Sequence, residues 1–407
     1  MTDYIKNWRL AGMAAIVLAV ILLPRVFLAL HQPDFRYPDE RLYFDIAKHI
    51  SQENRYAVTH AGAPFAVRQA PGLPVTLGVV DKFCDLTPLK VKLINGMVSA
   101  LTAVLYGLAV WVMTRNRTAV VVMVLMAGLH PVLLYAGITN YPQTYQGFWF
   151  AGLVAWLCWR YSSCKGKRPV TGLWDGVLAG MGALYVPTQL FILPALIAFH
   201  FRRGASWVTR YTLFVALGLI LTISPWMVRN ALVEREFIPF STSGGEQLFL
   251  GFNEQAGMNT GIQITLPPDL ANKIEKAESG KAVERHFAAY AKTWIQAHPL
   301  SALKLLALKL LNFFRLNNGA MVTEAERSTA REGMAAATTL FVFGMALWGS
   351  WELRRRMPEW TVFTAVLMLA LAAGHACFIA RYRYRLPFEP YLLFVGVIGW
   401  FSARKRV

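Results

Sequence analysis

Long apolar runs separated by short basic breaks organise the chain. The first, residues 10–30, is apolar apart from Arg25, follows Lys6 and Arg9, and is long enough to cross the roughly 30 Å hydrocarbon core of a bilayer. It is longer than the apolar core of a signal peptide, and no small-x-small cleavage site stands out after it. It therefore reads as a retained first span with a cytoplasmic N-terminus. Further runs at 89–113, 119–138, 145–159, 172–186, 190–201, 211–228, 334–351, 360–379 and 391–401 bring the expected number of spans to about ten. Arg115 and Arg117, then Lys165, Lys167 and Arg168, then Arg202, Arg203 and Arg210, then Arg354 to Arg356, and finally Arg404, Lys405 and Arg406 fall in alternate breaks. The positive-inside rule places those breaks in the cytoplasm. The remaining breaks, 31–88, 139–144, 187–189, 229–332 and 381–387, then share the outer face.

Two shorter patterns stand apart. Residues 73–83 are apolar but too short to span, and are expected as an interfacial or re-entrant helix on the outer face. Residues 300–316 carry Lys304, Lys309 and Arg315, and counting them as a span would move the last two basic clusters outside. An amphipathic helix lying in the interface avoids that. The expected organisation is an N-terminal transmembrane core over 1–228 containing the outer loop 31–88, an outer loop region over 229–332, and C-terminal transmembrane helices over 333–407.

A hydrophobic content of 56% over 407 residues excludes an ordinary multidomain soluble protein. The net charge of +18 gathers largely in the cytoplasmic breaks, so it reports topology and not a nucleic-acid partner. Cys84, Cys158, Cys164 and Cys377 are scattered without ligand spacing, and His286 and His298 are not spaced as a helical ligand pair. His298-Pro299 reads as a helix boundary.

Two outer features invite chemistry. Tyr37-Pro38-Asp39-Glu40 opens a short amphipathic helix through Ile50; carboxylates after a proline suit a helix start by themselves, favoured by the helix dipole. Arg381-Tyr382-Arg383-Tyr384-Arg385 departs from the charge rule, and in an extended segment its alternation would put the guanidinium groups on one side. Arg68 is a second outer cation, Arg229 follows at the mouth of a span, and Arg25 reads as a snorkelling side chain. Outer-leaflet phospholipid head groups attract arginine and tyrosine favours the interface, which accounts for the cluster as well as a functional reading does: arginines there can bind a substrate phosphate through charge-assisted pairs, and a carboxylate beyond them can act as a general base. A lipid-phosphate-linked sugar is a substrate that needs both. No Walker or Rossmann fingerprint is present in a sensible context.

On these residues the chain resembles the bacterial membrane glycosyltransferases of the GT-C superfamily, in the group related to protein O-mannosyltransferases and lipid A aminoarabinose transferases. The likeness is carried by Asp39-Glu40 with Tyr43, by Arg68 through Pro74, by Pro225 to Asn230 running into Ser241 to Leu248 and Gly251-Phe252-Asn253, and by Arg383 to Pro390. It implies an all-α polytopic GT-C fold and inverting transfer from a polyprenyl-phosphate sugar to an envelope lipid, glycan or protein. The active site would face the periplasm from the inner membrane. Asp39 would be the catalytic carboxylate, with Glu40 its neighbour, and Arg68, Arg381, Arg383 and Arg385 would lie near the donor phosphate. Tyr43, Gln143, Arg229, Gly244, Gly245, Asn253 and Tyr384 would line the substrate path. Gln143 stands where many relatives place a carboxylate, Val186-Pro187 replaces an Arg-Pro, and Gly251-Phe252-Asn253 replaces a Gly-Asn-Asn. No obligatory metal is expected. The chain also lacks the soluble C-terminal domain of larger relatives, which would leave acceptor recognition to the outer loops. A carrier or flippase for an anionic lipid intermediate, and a polymerase or ligase of lipid-linked glycans, are the alternative readings.

Overall fold

The computed structural model describes residues 2–56, 58–60, 63–65, 67–163, 168–258, 264–316 and 328–403. Lys165, Lys167 and Cys164, and the cluster Arg404 to Arg406, lie outside these residues. Helix α1 (Thr2–His31) is followed by α2 (Pro38–Glu53), a two-stranded antiparallel hairpin of β1 (Val58–His60) and β2 (Ala63–Phe65), and α3 (Gly72–Cys84). Then come α4 (Pro88–Thr114), α5 (Arg117–Gly128), α6 (Pro131–Ile138), α7 (Gln143–Ser162), α8 (Gly172–Tyr185), α9 (Leu193–Ala198) and α10 (Ala205–Glu234). Four shorter helices, α11 (Gly244–Gly251), α12 (Pro268–Glu275), α13 (Gly280–Ala297) and α14 (Pro299–Phe313), precede α15 (Thr329–Leu353), α16 (Pro358–Ala376) and α17 (Glu389–Ala403).

Five of these, α1 from Gly12, α4, α10, α15 and α16, are long and apolar enough to cross a membrane, and α5 with α6, bent by 61° at their break, passes the same test when the pair is counted as one span. The chain is a multi-pass membrane protein. The other four expected spans coincide with helical segments that fall short on one count. Helix α7 has 20 residues but carries Gln143, Gln146 and Arg160. The segment 187–198 is a 3-10 turn joined to α9, and α8 and α17 have 14 and 15 residues.

Side chains explain how the spans hold together. The main core lies between α4, α7, α9, α16 and α17, with Phe150, Phe199, Trp360, Phe363, Phe388 and Tyr391 in edge-to-face ring contacts. Helices α8 and α10 approach until a Cβ at Gly176 would stand 2.1 Å from the Val215 carbonyl oxygen, so small residues set that crossing. Arg25 does not snorkel. It is buried, with Nη1 donating to the carbonyls of Ile21 (2.5 Å) and Gly128 (2.7 Å) and with Nε and Nη2 facing Ser99 Oγ. The reason is the bend: the α5–α6 break frees the Gly128 carbonyl, and within a bilayer that acceptor must be satisfied by protein.

A layer of shorter helices at one end of the bundle has two parts. Helix α2 packs on α3 through Ala47, Leu73 and Leu77, locked by Lys48 Nζ at 2.8 Å from Asp81 Oδ1 and by Ser51 Oγ donating to Asp81. The second part has its own core of Phe249, Phe252, Phe287, Trp294 and Leu305 from α11, α13 and α14. His298 marks the α13–α14 boundary as expected. Lys309 of α14 is buried, which its place on a predicted amphipathic face did not foretell. It donates to the carbonyls of Gly251 (3.2 Å) and Phe378 (2.9 Å), tying this layer to the end of α16.

Candidate functional site

Asp39 and Glu40 share one helical turn and face opposite ways. Pro38 sets the first helical position of α2, where a missing N–H costs nothing. Glu40 is fully buried and accepts three backbone N–H groups: Arg36 at 2.9 Å, Tyr37 at 3.0 Å and Asn140 at 2.9 Å. Asn140 Nδ2 returns a hydrogen bond to the Glu40 carbonyl at 2.8 Å. Glu40 is thus the strap that binds α2 to the α6–α7 loop, with no face left for substrate. Asp39 is left half-exposed, its Oδ2 at 3.9 Å from Arg383 Nη1.

Arg383 is held between rings. Its guanidinium lies 5.2 Å from the centroids of Tyr141 and Tyr384, and Tyr384 in turn stacks on His375 at 4.8 Å and 3°. His375 stacks on Phe313, so the support reaches α14 and α16. Burial alone would raise the Tyr384 phenol, but Arg383 and Arg381 outweigh it and hold it below its ordinary value. Burial, reinforced by the Asp39 carboxylate, pushes the Tyr43 phenol up. Tyr43 therefore stays a hydrogen-bond donor at neutral pH, and its hydroxyl donates to Gln69 Oε1 at 3.2 Å. Burial lowers Arg381, a charge that also acts on Asp39 and Tyr384.

Behind Arg383 opens a mostly apolar cavity walled by α6, α7 and the start of α17, with Val132, Leu133, Leu386 and Pro390 along it. Tyr37 and Tyr135 meet at its rim, hydroxyl to hydroxyl at 3.1 Å. Gln143 lines the same cavity with its side-chain oxygen buried and without a hydrogen-bond partner. The arrangement offers an apolar channel, a cation at its polar end and a carboxylate just beyond.

The structure brings together Asp39, Tyr43, Gln143, Arg381, Arg383 and Tyr384, and gives the other candidates partners of their own. Arg385 is fully buried, with Nε at 3.0 Å from Glu389 Oε1 and Nη1 donating to the carbonyls of Phe313 (2.6 Å) and Arg315 (3.0 Å). The physical reason is local: 382–384 is a 3-10 turn and not an extended segment, so residues two apart point about 120° away from each other instead of sharing a side. Arg68 pairs with Glu246 at 3.0 Å. Arg229 pairs with Glu234 on its own helix at 2.9 Å and lies over the Trp226 ring. Asn253 is buried and caps its own loop, donating to the Phe249 carbonyl and accepting the Gln255 N–H. Gly244 and Gly245 start α11 against α13, where a Cβ on Gly245 would stand 2.1 Å from the Glu284 carbonyl oxygen. These contacts tie neighbouring segments together. Sequence reasoning missed Tyr141, Asn140 and His375; the first two lie in the break 139–144, whose polarity was the available signal. Among the described residues, no three His, Cys, Asp or Glu side chains stand together as a metal site.

No protein-family model and no curated protein matches the chain. Among solved structures, it is similar to the archaeal oligosaccharyltransferase AglB from Archaeoglobus fulgidus, in complex with an inhibitory peptide and a dolichol-phosphate. The TM-score is 0.58 at 13% identity, over 99% of this chain and 51% of that one, so the chain spans about half of AglB's length. ArnT from Cupriavidus metallidurans aligns less closely: TM-score 0.46 at 13% identity over 97% and 78% of the two chains when bound to undecaprenyl phosphate, and 0.43 at 14% over 98% and 78% in the apo state. The fold is that of a polytopic membrane protein with the architecture shared by AglB. The likeness at this identity speaks for architecture.

Proposed function

We propose that the protein is an inverting glycosyltransferase that moves a sugar from a polyprenyl-phosphate donor to an envelope acceptor, with its site on the outer, periplasmic face of the bacterial inner membrane. One observation carries the reading: an exposed carboxylate, Asp39, stands 3.9 Å from a ring-clamped guanidinium, Arg383, at the mouth of an apolar channel. An isoprenoid chain fits the channel chemically, and its phosphate then lies at Arg383. The acceptor hydroxyl oxygen attacks the sugar's anomeric carbon while Asp39 takes the hydroxyl proton. The anomeric C–O bond breaks with its electron pair going to the lipid phosphate, and Arg383, with Arg381 nearby, offsets the charge that develops there. Gln143 supplies an acceptor for a donor hydroxyl. No step draws on a metal. AglB is a transferase whose solved complex holds a dolichol-phosphate, which supports a lipid-phosphate donor for this fold.

The test is purified Asp39→Asn protein given radiolabelled polyprenyl-phosphate sugar. Turnover should fall by about 10²–10⁴-fold with donor binding retained, the span expected for a general base. Normal turnover would remove Asp39 from the mechanism. Transbilayer movement of the donor without any transfer would establish the carrier reading instead.

A further inference from the structure

A second polar cavity lies at the far end of the bundle. Gln143 opens α7 at the outer site, and Arg160 lies on the same helix about 26 Å further along at 1.5 Å per residue. Helix α16 runs the other way, from Glu359 at this cavity to His375 behind Tyr384. The cavity therefore faces the opposite side of the membrane from Asp39. Its wall is built from Arg160, Tyr161, His200, Arg202, Arg203 and Glu359.

Its interior carries unmet hydrogen-bonding capacity. Arg160 and His200 are both more than nine-tenths buried, and Arg160 Nε and His200 Nε2 have no hydrogen-bond partner. Arg160 is fixed in place from behind: its Nη1 pairs with Asp175, which also accepts Trp156 Nε1 at 2.9 Å and the Tyr211 hydroxyl at 2.6 Å. His200 is wedged against the Trp207 and Tyr211 rings at 4.6 and 4.4 Å. At the mouth, Arg203 lies over Trp207 at 5.4 Å, and Arg202 is exposed. Among the described residues, Glu359 is the one carboxylate lining the cavity. It is held loosely, at 3.6 Å from Arg202 and 3.4 Å from the Tyr161 hydroxyl. With Asp175 offset by Arg160 and Glu359 by Arg202, Arg203 leaves the cavity cationic. Trp159, Tyr161 and Trp174 are exposed around this end, the pattern of an aromatic belt at head-group depth.

We propose that this cavity binds a phosphate group, carried by an anionic phospholipid of the leaflet opposite the Asp39 site. Guanidinium groups match phosphate oxygens in forked pairs, and Arg160 Nε, with the N–H of a neutral His200 at Nε2, would complete the shell from below; burial, with Arg160 and Arg203 nearby, keeps that imidazole uncharged. Basic pockets between spans at head-group level suit lipid phosphates, since the acyl chains continue along the apolar helix faces. The proposal does not depend on the transferase reading.

The experiment uses the full chain in a neutral detergent and follows its thermal unfolding midpoint. Short-chain phosphatidic acid is titrated against inorganic phosphate at equal concentration. The variants are Arg202→Gln with Arg203→Gln, both at exposed positions, and Arg354→Gln with Arg355→Gln as a control on another basic cluster. Saturating phosphatidic acid should raise the midpoint by roughly 3 °C in the native chain and the control, and by less than half of that in the 202/203 variant. Inorganic phosphate should leave it unchanged. An equal rise with inorganic phosphate would overturn the lipid assignment. No saturable rise, or an undiminished rise in the 202/203 variant, would overturn the site.

Discussion

Arg383 works by geometry as much as by charge. It is flat, clamped between two tyrosine rings, and presents one edge toward Asp39. Lysine keeps the charge but loses both the ring stacking and the forked donor pattern. Arg383→Lys should lower kcat by about 10²-fold while the protein stays folded, checked by turnover beside a thermal unfolding curve. Glu40 makes the opposite prediction. Glu40→Ala leaves buried N–H groups of Arg36, Tyr37 and Asn140 without their charged acceptor, each such bond contributing about 1.5–3 kcal/mol. The thermal midpoint should fall by several degrees. Glu40→Gln, which keeps an oxygen in place, should recover part of that loss. The neighbours Asp39 and Glu40 were legible as a pair, and the preference for Asp39 came from resemblance. Their division of labour was not legible, because it depends on Asn140, a hundred residues away in sequence.

At the scale of elements, the apolar pattern was the readable part. Each expected span coincides at least in part with helix, and six of the ten are long and apolar enough to cross when α5 and α6 are taken together, as burial in lipid demands an internally satisfied backbone. Local backbone form was less readable. The Arg-Tyr alternation at 381–385 looks extended, yet a 3-10 turn separates Arg383 from Arg385 and sends the latter into the core. The α2–α3 contact rests on one carboxylate. Burial by itself would raise the Asp81 carboxyl, but Lys48, the Ser51 hydroxyl and the Leu86 N–H hold it below its ordinary value. A folded-state carboxyl that is lowered contributes stability above the unfolded value near 4 and loses it as pH falls through the folded one. Unfolding midpoints measured from pH 6 down to pH 3 should therefore drop more steeply for the native chain than for Asp81→Asn. Equal slopes would remove this pair as the acid-sensitive joint.

Across the whole molecule, depth along the bundle separates two ends. Asp39 and Arg383 occupy one end, and Arg160, Arg202 and Arg203 the other, joined by α7 and α16. In a cysteine-free background, Asp39→Cys and Arg203→Cys should react with an impermeant maleimide from opposite sides of sealed vesicles, the first from the periplasmic side. Labelling of both from one side would contradict this arrangement. That Asp39 and Arg383 share a face was readable from counting spans, but their proximity was not, since the residues are separated by most of the chain.

Arg25 gives the assembly a timetable. Its guanidinium rests on Ser99 and on the Gly128 carbonyl, the latter 103 residues further along. During synthesis the first span enters the bilayer before either partner exists, and only the Ile21 carbonyl of its own helix is at hand. An arginine at the centre of a span costs about 2.5–3.5 kcal/mol on insertion scales, an upper figure for Arg25, which lies toward one end of Gly12–His31. At 5–20 residues per second, that cost persists for roughly 5–20 s. The first helix is thus inserted as an unfinished part, retained by its apolar length until the bent fifth helix arrives to complete it.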